Sequence, residues 1–246
     1  MLLKSIINPE ATKSFVQDFI LGSMKLRLNP VILTKYLFEL KLNEEFYKQI
    51  NESIEKARKD FPDPRLGGWM FEYHGHILYT LVRLLKPEVV IETGVGPGGT
   101  SALVLLALNA NKKGRLLSID LPGADLEIYL KIGKAYHIHI PPGYQVGWLV
   151  PSYLRNRWHL QFGDSKELLP ELLNKIGAID MFLHDSLHTD EHVMFELSTV
   201  FPYVKKGGLI LADDVNEYWT LAFTKFCKEK GIKYTVFGNR LGVARK

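Results

Sequence analysis

The stretch Val89-Val90-Ile91-Glu92-Thr93-Gly94-Val95-Gly96-Pro97-Gly98-Gly99-Thr100-Ser101 constrains the fold of this chain more than any other. A β-branched apolar run empties into a turn with four glycines, and an apolar segment (Ala102 to Leu108) follows. That order predicts a buried parallel strand, a tight turn and a helix. Glycines let the backbone approach a ligand closely, and the free N–H groups of a helix start attract polar or anionic groups.

Gly94, Gly96 and Gly99 have the G-x-G-x-x-G spacing usual for dinucleotide binding. Glu92 opposes that reading, because a carboxylate two residues before the first glycine repels a pyrophosphate. It suits a ligand that carries an ammonium group there, such as the methionine end of S-adenosyl-L-methionine (SAM).

From Val89 onward strands and helices alternate. Strands are expected at Val89–Thr93, Arg115–Ile119, Trp158–Phe162, Ile179–His184 and Leu209–Ala212. The chain closes with Lys233 to Phe237, the turn Gly238-Asn239-Arg240, and Leu241 to Ala244, which reads as an antiparallel hairpin. The fold class is therefore α/β, a Rossmann-like, doubly wound, mostly parallel sheet with a C-terminal antiparallel hairpin. Ligands of such sheets sit at the C-terminal ends of the strands.

Residues 1–70 are expected to form a helical extension that covers the core or meets another subunit in a homo-oligomer. Breaks fall near Asn29-Pro30 and Lys41-Leu42-Asn43, and Asn43 is placed to cap a helix. Phe15, Phe19 and Ile20 are spaced for one helix face, as are Leu33, Tyr36, Leu37 and Leu40. Phe61 to Gly68 is a breaker-rich linker, and Phe71 to Leu85 reads as a helix whose Tyr73, His74 and His76 border the site. Residues 71–246 then form the main domain. Within it, 121–157 is long enough, and rich enough in Pro, Gly and aromatics, for a lid over the pocket.

Acids recur at strand ends. Asp120 suits ribose hydroxyls, a role shared by NAD and SAM sites. Asp164 and Ser165 open a helix and either cap it or meet the adenine edge. Asp185, Asp213 and Asp214 end neighbouring strands about 4.8 Å apart. Three such anions repel one another unless a cation is present, and oxygen ligands suit Mg²⁺, Ca²⁺ or Mn²⁺. His188 is a general-base candidate, because neutral imidazole accepts a proton near pH 7. His188 to His192 also fits the H-x-x-E-H zinc motif, but the motif lies just past a strand end and lacks a downstream ligand in context.

Composition narrows the class. A net charge of +4 without a long basic run gives little support for nucleic acid. A single cysteine, Cys227, excludes an internal disulfide and a Cys-based zinc site. No segment has the length of a membrane span, and a cytoplasmic protein is expected.

Several stretches point the same way: Glu92 to Ser101, Ser118-Ile119-Asp120-Leu121-Pro122, Gly147-Trp148-Leu149-Val150-Pro151, Gly163-Asp164-Ser165, His184 to His188, and Gly207 to Val215. Together they resemble class I SAM-dependent methyltransferases, and more narrowly the macrocin-O-methyltransferase-like group of antibiotic sugar O-methyltransferases. The resemblance spans residues 70–246. It implies SAM contact by Glu92, Gly94, Gly96, Gly98, Thr100, Ser101, Asp120, Asp164 and Ser165, and a metal held by Asp185, Asp213 and Asp214. The acid pattern is also similar to that of catechol O-methyltransferase, from which Asp214 departs, since an Asn stands there.

The activity implied is methyl transfer from SAM to a hydroxyl of a small molecule or sugar. A divalent metal, Mg²⁺ for example, would lower the hydroxyl pKa, and Asp185 or His188 would remove its proton. The alternatives are a SAM-binding protein without turnover and an NAD-dependent oxidoreductase.

Overall fold

In the computed structural model the described residues are 19–61, 73–121, 140–141 and 143–246. Outside them lie Phe15, the 62–68 part of the linker, Phe71, the side chain of Tyr73, and residues 122–139 and Pro142 of the expected lid.

Seven strands form one sheet: β1 (Val89–Thr93), β2 (Arg115–Asp120), β3 (Trp158–Phe162), β4 (Ile179–His184), β5 (Val204–Ala212), β6 (Lys233–Phe237) and β7 (Leu241–Arg245). Their order is β3-β2-β1-β4-β5-β7-β6. The first five are parallel, and β7 inserts antiparallel between β5 and β6. The expected terminal hairpin is present, and its second strand is the one that joins the sheet. β5 begins at Val204, earlier than the apolar run announces, and its pairing with β4 shifts register between Ile179 and Met181.

The central strands are apolar on both faces because each face has its own core. Val90, Leu116, Met181, Leu183, Leu209, Leu211 and Val243 point to one side. Ile91, Leu117, Phe182, Ile210 and Ala244 point to the other. On the first side pack the helices α1 (Pro30–Lys41), α2 (Glu44–Asp60), α3 (Tyr73–Leu85) and α4 (Gly99–Asn111). On the second pack α5 (Ser165–Ile176), α6 (Asp190–Val200) and α7 (Ala222–Glu229). Cys227 is buried among the apolar residues of α7, and burial pushes its thiol up to about 12, so it serves packing.

The N-terminal helices are built as their sequence predicts. Asn29 caps α1 through the Val31 and Ile32 N–H groups, with Pro30 at the first helical position. Asn43 caps α2 through the Phe46 N–H. Leu33, Leu37 and Leu40 are buried, and Arg83 of α3 donates two hydrogen bonds to Glu39 of α1, at 2.6 and 2.9 Å. Phe19 is buried, but Ile20, expected on the same face, is exposed; the two are adjacent on the helix and point about 100° apart. Among the described residues, no helix is long and apolar enough to cross a membrane.

Phe182 has no exposed surface, at the centre of the second core. Phe182→Ala is expected to cost about 3–5 kcal/mol in urea unfolding. The same change at the mostly exposed Phe38 should stay within about 0.5 kcal/mol. Equal losses at both positions would contradict the two-core arrangement.

Candidate functional site

The β1 and β4 tips meet where the strand order reverses direction, the crevice in which open α/β sheets bind ligands. Thr93 pairs with His184 and His184 with Ala212, so the residues after each strand emerge side by side. Backbone bonds extend this order beyond the strands: Gly94 N–H to Ile119 C=O, Asp185 N–H to Thr93 C=O, and Asp213 N–H to His184 C=O. A Cβ on Gly94 would lie 2.0 Å from the Asp185 carbonyl oxygen, and the residue has φ +80°. Only glycine allows the first loop to come this close to the acid at the β4 tip.

Glu92 lies beneath the loop with no exposed surface. Its Oε2 accepts hydrogen bonds from the Ser101 and Ser118 hydroxyls, each at 2.7 Å, and the Trp158 indole N–H fixes Ser118. Its Oε1 is buried and finds no partner among the described residues. Burial drives the Glu92 pKa up to about 7, against the pull of the two serines. Ser101, expected at the ligand, holds this carboxylate through its hydroxyl. Ser118 does the same, and its place on the inward face of β2 gives no sign of that role in sequence.

Asp120 turns back onto the glycine loop. Its Oδ2 accepts from the Val95 N–H at 2.7 Å and the Gly96 N–H at 3.0 Å. The N–H groups that would cradle a pyrophosphate are thus occupied by a carboxylate of the chain itself. Around a Cβ built on Gly96 there is nothing within 4 Å, which leaves that side of the loop open to a ligand. An unpartnered buried oxygen below and an open glycine face above fit a ligand with an ammonium group, and two carboxylates against the loop do not fit a diphosphate.

The described part of the expected lid is a clamp. Gly147 N–H bonds to the Gly96 C=O and Leu149 N–H to the Pro97 C=O. Leu149 and Val150 are buried, as is Leu154 of the 3-10 helix Ser152–Arg157. Arg155 donates to the Gly147 and Val150 carbonyls. Leu149, Val150 and Leu154 thus pack inward while the backbone of Gly147 and Leu149 holds the glycine loop.

Asp164 caps α5 through the Lys166 N–H, whereas Ser165 turns into the interior. There it joins a buried polar cluster that single-motif reading misses. Glu196 of α6, wholly buried, accepts from Ser165 (2.6 Å), Thr93 (2.6 Å) and Ser186 (3.0 Å). His184 and His192 lie against it at 2.7 and 2.9 Å. Burial raises its pKa, but the histidines outweigh that and hold it well below the carboxylate range. His192 and Glu196 are spaced i, i+4 on α6, the only sequence signal for the cluster. Both zinc-motif histidines are engaged elsewhere: His192 in this cluster, and His188 with its Nε2 3.5 Å from Asp214.

At the rim, Thr100 donates to Asp185 at 3.3 Å. Burial, and then the charges of Asp213 and Asp214, push the Asp185 pKa well up. Asp213 moves the other way: burial opposes ionisation, but His74, Arg240 and His188 outweigh it. His76, by contrast, is buried against Tyr47. Burial and the neighbouring His184 lower His188 to about 3, which keeps its imidazole neutral.

The expected metal site is not formed by these acids. Arg240, from the β6–β7 turn, stands 2.9 Å from Asp214 and 3.3 Å from Asp213. Among the described residues, no three His, Cys, Asp or Glu side chains are grouped to hold a metal ion. The sequence expectation counted the acids and overlooked the turn arginine.

A family model described as a methyltransferase domain matches residues 91–215, half of the chain. Over 52 residues, 21% of the chain, it is 38% identical to 8-demethyl-8-alpha-L-rhamnosyl tetracenomycin-C 2'-O-methyltransferase of Streptomyces olivaceus. It is 36% identical over the same length, again 21% of the chain, to demethylmacrocin O-methyltransferase of Streptomyces fradiae. These matches span only 14% and 13% of the two relatives' own lengths. The fold is similar to that of a SAH-bound Podospora anserina methyltransferase, with a TM-score of 0.52 at 18% identity over 80% of this chain and 87% of that one.

Glu196→Gln is expected to destabilise the protein by about 3–5 kcal/mol, since it removes the charge that five groups converge on. Glu196 is depressed in the folded state, so its contribution is complete above its ordinary value of 4.5 and is lost as pH falls further. Acid unfolding of the variant should therefore be shallower below that pH. Unfolding curves with the same acid slope in both proteins would contradict the assignment.

Proposed function

The chain belongs to the methyltransferase-domain family, and on that premise we propose that it is a SAM-dependent O-methyltransferase acting on a hydroxyl of a small molecule or sugar. The observation that carries the proposal is the pair of carboxylates turned on the glycine loop, with Glu92 Oε1 left without a partner. In this reading Glu92 Oε1 accepts from the ammonium of the ligand, directly or through one ordered water. The open face at Gly96 admits the ligand backbone, and Gly94 and Gly98 shape the turn on either side. Asp120 offers Oδ1 to the ribose, since both loop bonds use Oδ2. In the same reading Asp164 meets the adenine edge.

SAM supplies an electrophilic methyl group when bound. The protein must place the acceptor oxygen in line with that methyl and take its proton. Asp185 is the better-matched base. Its carboxylate is held at the rim by Thr100, and its raised pKa makes it a stronger proton acceptor than an ordinary aspartate. His188 is neutral, with its Nε2 3.5 Å from Asp214, and is the second candidate. Of the three acids that would hold a divalent cation, Asp213 and Asp214 are engaged by Arg240.

Of the two O-methyltransferases with matching stretches, one is named for the 2' position of a rhamnosyl compound, which supports a sugar hydroxyl as the acceptor class. A nicotinamide-dependent oxidoreductase is disfavoured because Asp120 fills the N–H groups a diphosphate needs.

Calorimetry should detect S-adenosylhomocysteine binding and no comparable binding of NAD. Glu92→Gln should weaken S-adenosylhomocysteine by at least about tenfold, or 1.4 kcal/mol. Glu92 is raised to about 7, so wild-type affinity should fall as pH drops below that value and the carboxylate takes up a proton. The same group stabilises the ligand-free fold below its ordinary value of 4.5, and that contribution is lost as pH rises through 7. Tight NAD binding, or an affinity for S-adenosylhomocysteine that ignores both pH and Glu92, would sink the proposal.

A further inference from the structure

We infer that Arg240 is the resident cation of the acid rim, so that this chain performs its chemistry there without a divalent metal. The inference rests on the proposed reading of the rim as the methyl-transfer site, but not on the identity of the acceptor.

Arg240 Nε lies 2.9 Å from Asp214 Oδ1 and 3.3 Å from Asp213 Oδ1, and its Nη2 lies 3.4 Å from Asp213 Oδ2. The guanidinium therefore touches both oxygens of one aspartate and one oxygen of the next. The three side chains are mostly buried, at 26%, 10% and 12% exposure, where charge pairs are screened little by solvent.

The contact is built into the backbone. Val215 N–H bonds to the Arg240 C=O at 2.8 Å, tying the β5 exit to the β6–β7 turn. Asp214 itself sits in the left-handed region, at φ +55°, which swings its carboxylate toward that turn. The β5–β7 and β6–β7 ladders then hold the turn in register with the rim.

Magnesium requires oxygens that converge at about 2.0–2.1 Å in near-octahedral geometry. A guanidinium instead spreads its charge over a rigid planar fork and takes oxygens at hydrogen-bond distance. Arg240 takes up three of the oxygens that Asp213 and Asp214 present, and placing a dication beside the guanidinium adds like-charge repulsion. The neutralisation that Asp213 and Asp214 demand is thus supplied by Arg240 rather than by an ion from solution.

The test is direct Mn²⁺ binding, read by electron paramagnetic resonance and by calorimetry on the full chain saturated with S-adenosylhomocysteine. The wild type should bind Mn²⁺ with a Kd of about 1 mM or weaker. Arg240→Gln, which frees Asp213 and Asp214, should bind at least about tenfold tighter, whereas Arg240→Lys, which keeps the charge, should stay close to wild type. Wild-type binding tighter than about 1 mM would overturn the inference, as would an Arg240→Gln affinity equal to that of the wild type. If Arg240→Gln fails to fold, the wild-type value alone decides. Failure of S-adenosylhomocysteine to bind would refute the proposed function instead, and Mn²⁺ titration of the ligand-free chain would still read the role of Arg240.

Discussion

The contact between Gly94 and the Asp185 carbonyl sets the geometry on which the rest of the site depends. No side chain fits between them, so the loop after β1 and the loop after β4 lie against each other at the reversal point of the sheet. That contact puts the buried Glu92, the open face at Gly96 and the acid rim within one crevice. The clamp at Gly147 and Leu149 then prevents the loop from lifting away, through two backbone bonds that need no particular side chain.

Within the crevice, each carboxylate has been given a different state by its surroundings. Glu92 and Asp185 are driven toward protonation by burial, the second also by its acidic neighbours. Asp213 and Glu196 are held ionised by cations and hydrogen-bond donors that overcome the same burial. A buried acid left short of partners is a group waiting for a donor, whereas one crowded with donors is a fixed support. On that criterion Glu92 is the acid proposed to meet a ligand and Glu196 holds the scaffold, although the two residue types differ in nothing that a sequence displays. Glu196 links the β1 tip, the β4 tip and the start of α5.

Much of the fold was legible because its signals are local and repetitive. Branched apolar runs such as Val89 to Ile91 announce strands, Asn29 and Asn43 announce helix starts, and Gly238-Asn239-Arg240 announces the last turn. The glycine loop and the strand-end acids were legible for the same reason, since position after a strand predicts position at the rim. Pairings between distant residues were not. Ser118 and Ser101 meet Glu92 only after β1 and β2 pair, and Glu196 meets His184 only after α6 packs against β4. Arg240 reaches Asp213 and Asp214 because β7 inserts between β5 and β6, an order that hairpin signals alone do not reveal. Nor did the 143–157 segment announce in sequence that Gly147 and Leu149 bond to the glycine loop.

The central claim is that the unpartnered oxygen of Glu92 receives the amino group of an adenosyl amino acid. A crystal structure of the complex with S-adenosylhomocysteine tests it most directly. The amino nitrogen should lie about 3 Å from Glu92 Oε1, or within about 6 Å with one ordered water between them. An amino group bound elsewhere in the crevice, with Oε1 still unpartnered beneath the loop, would contradict it.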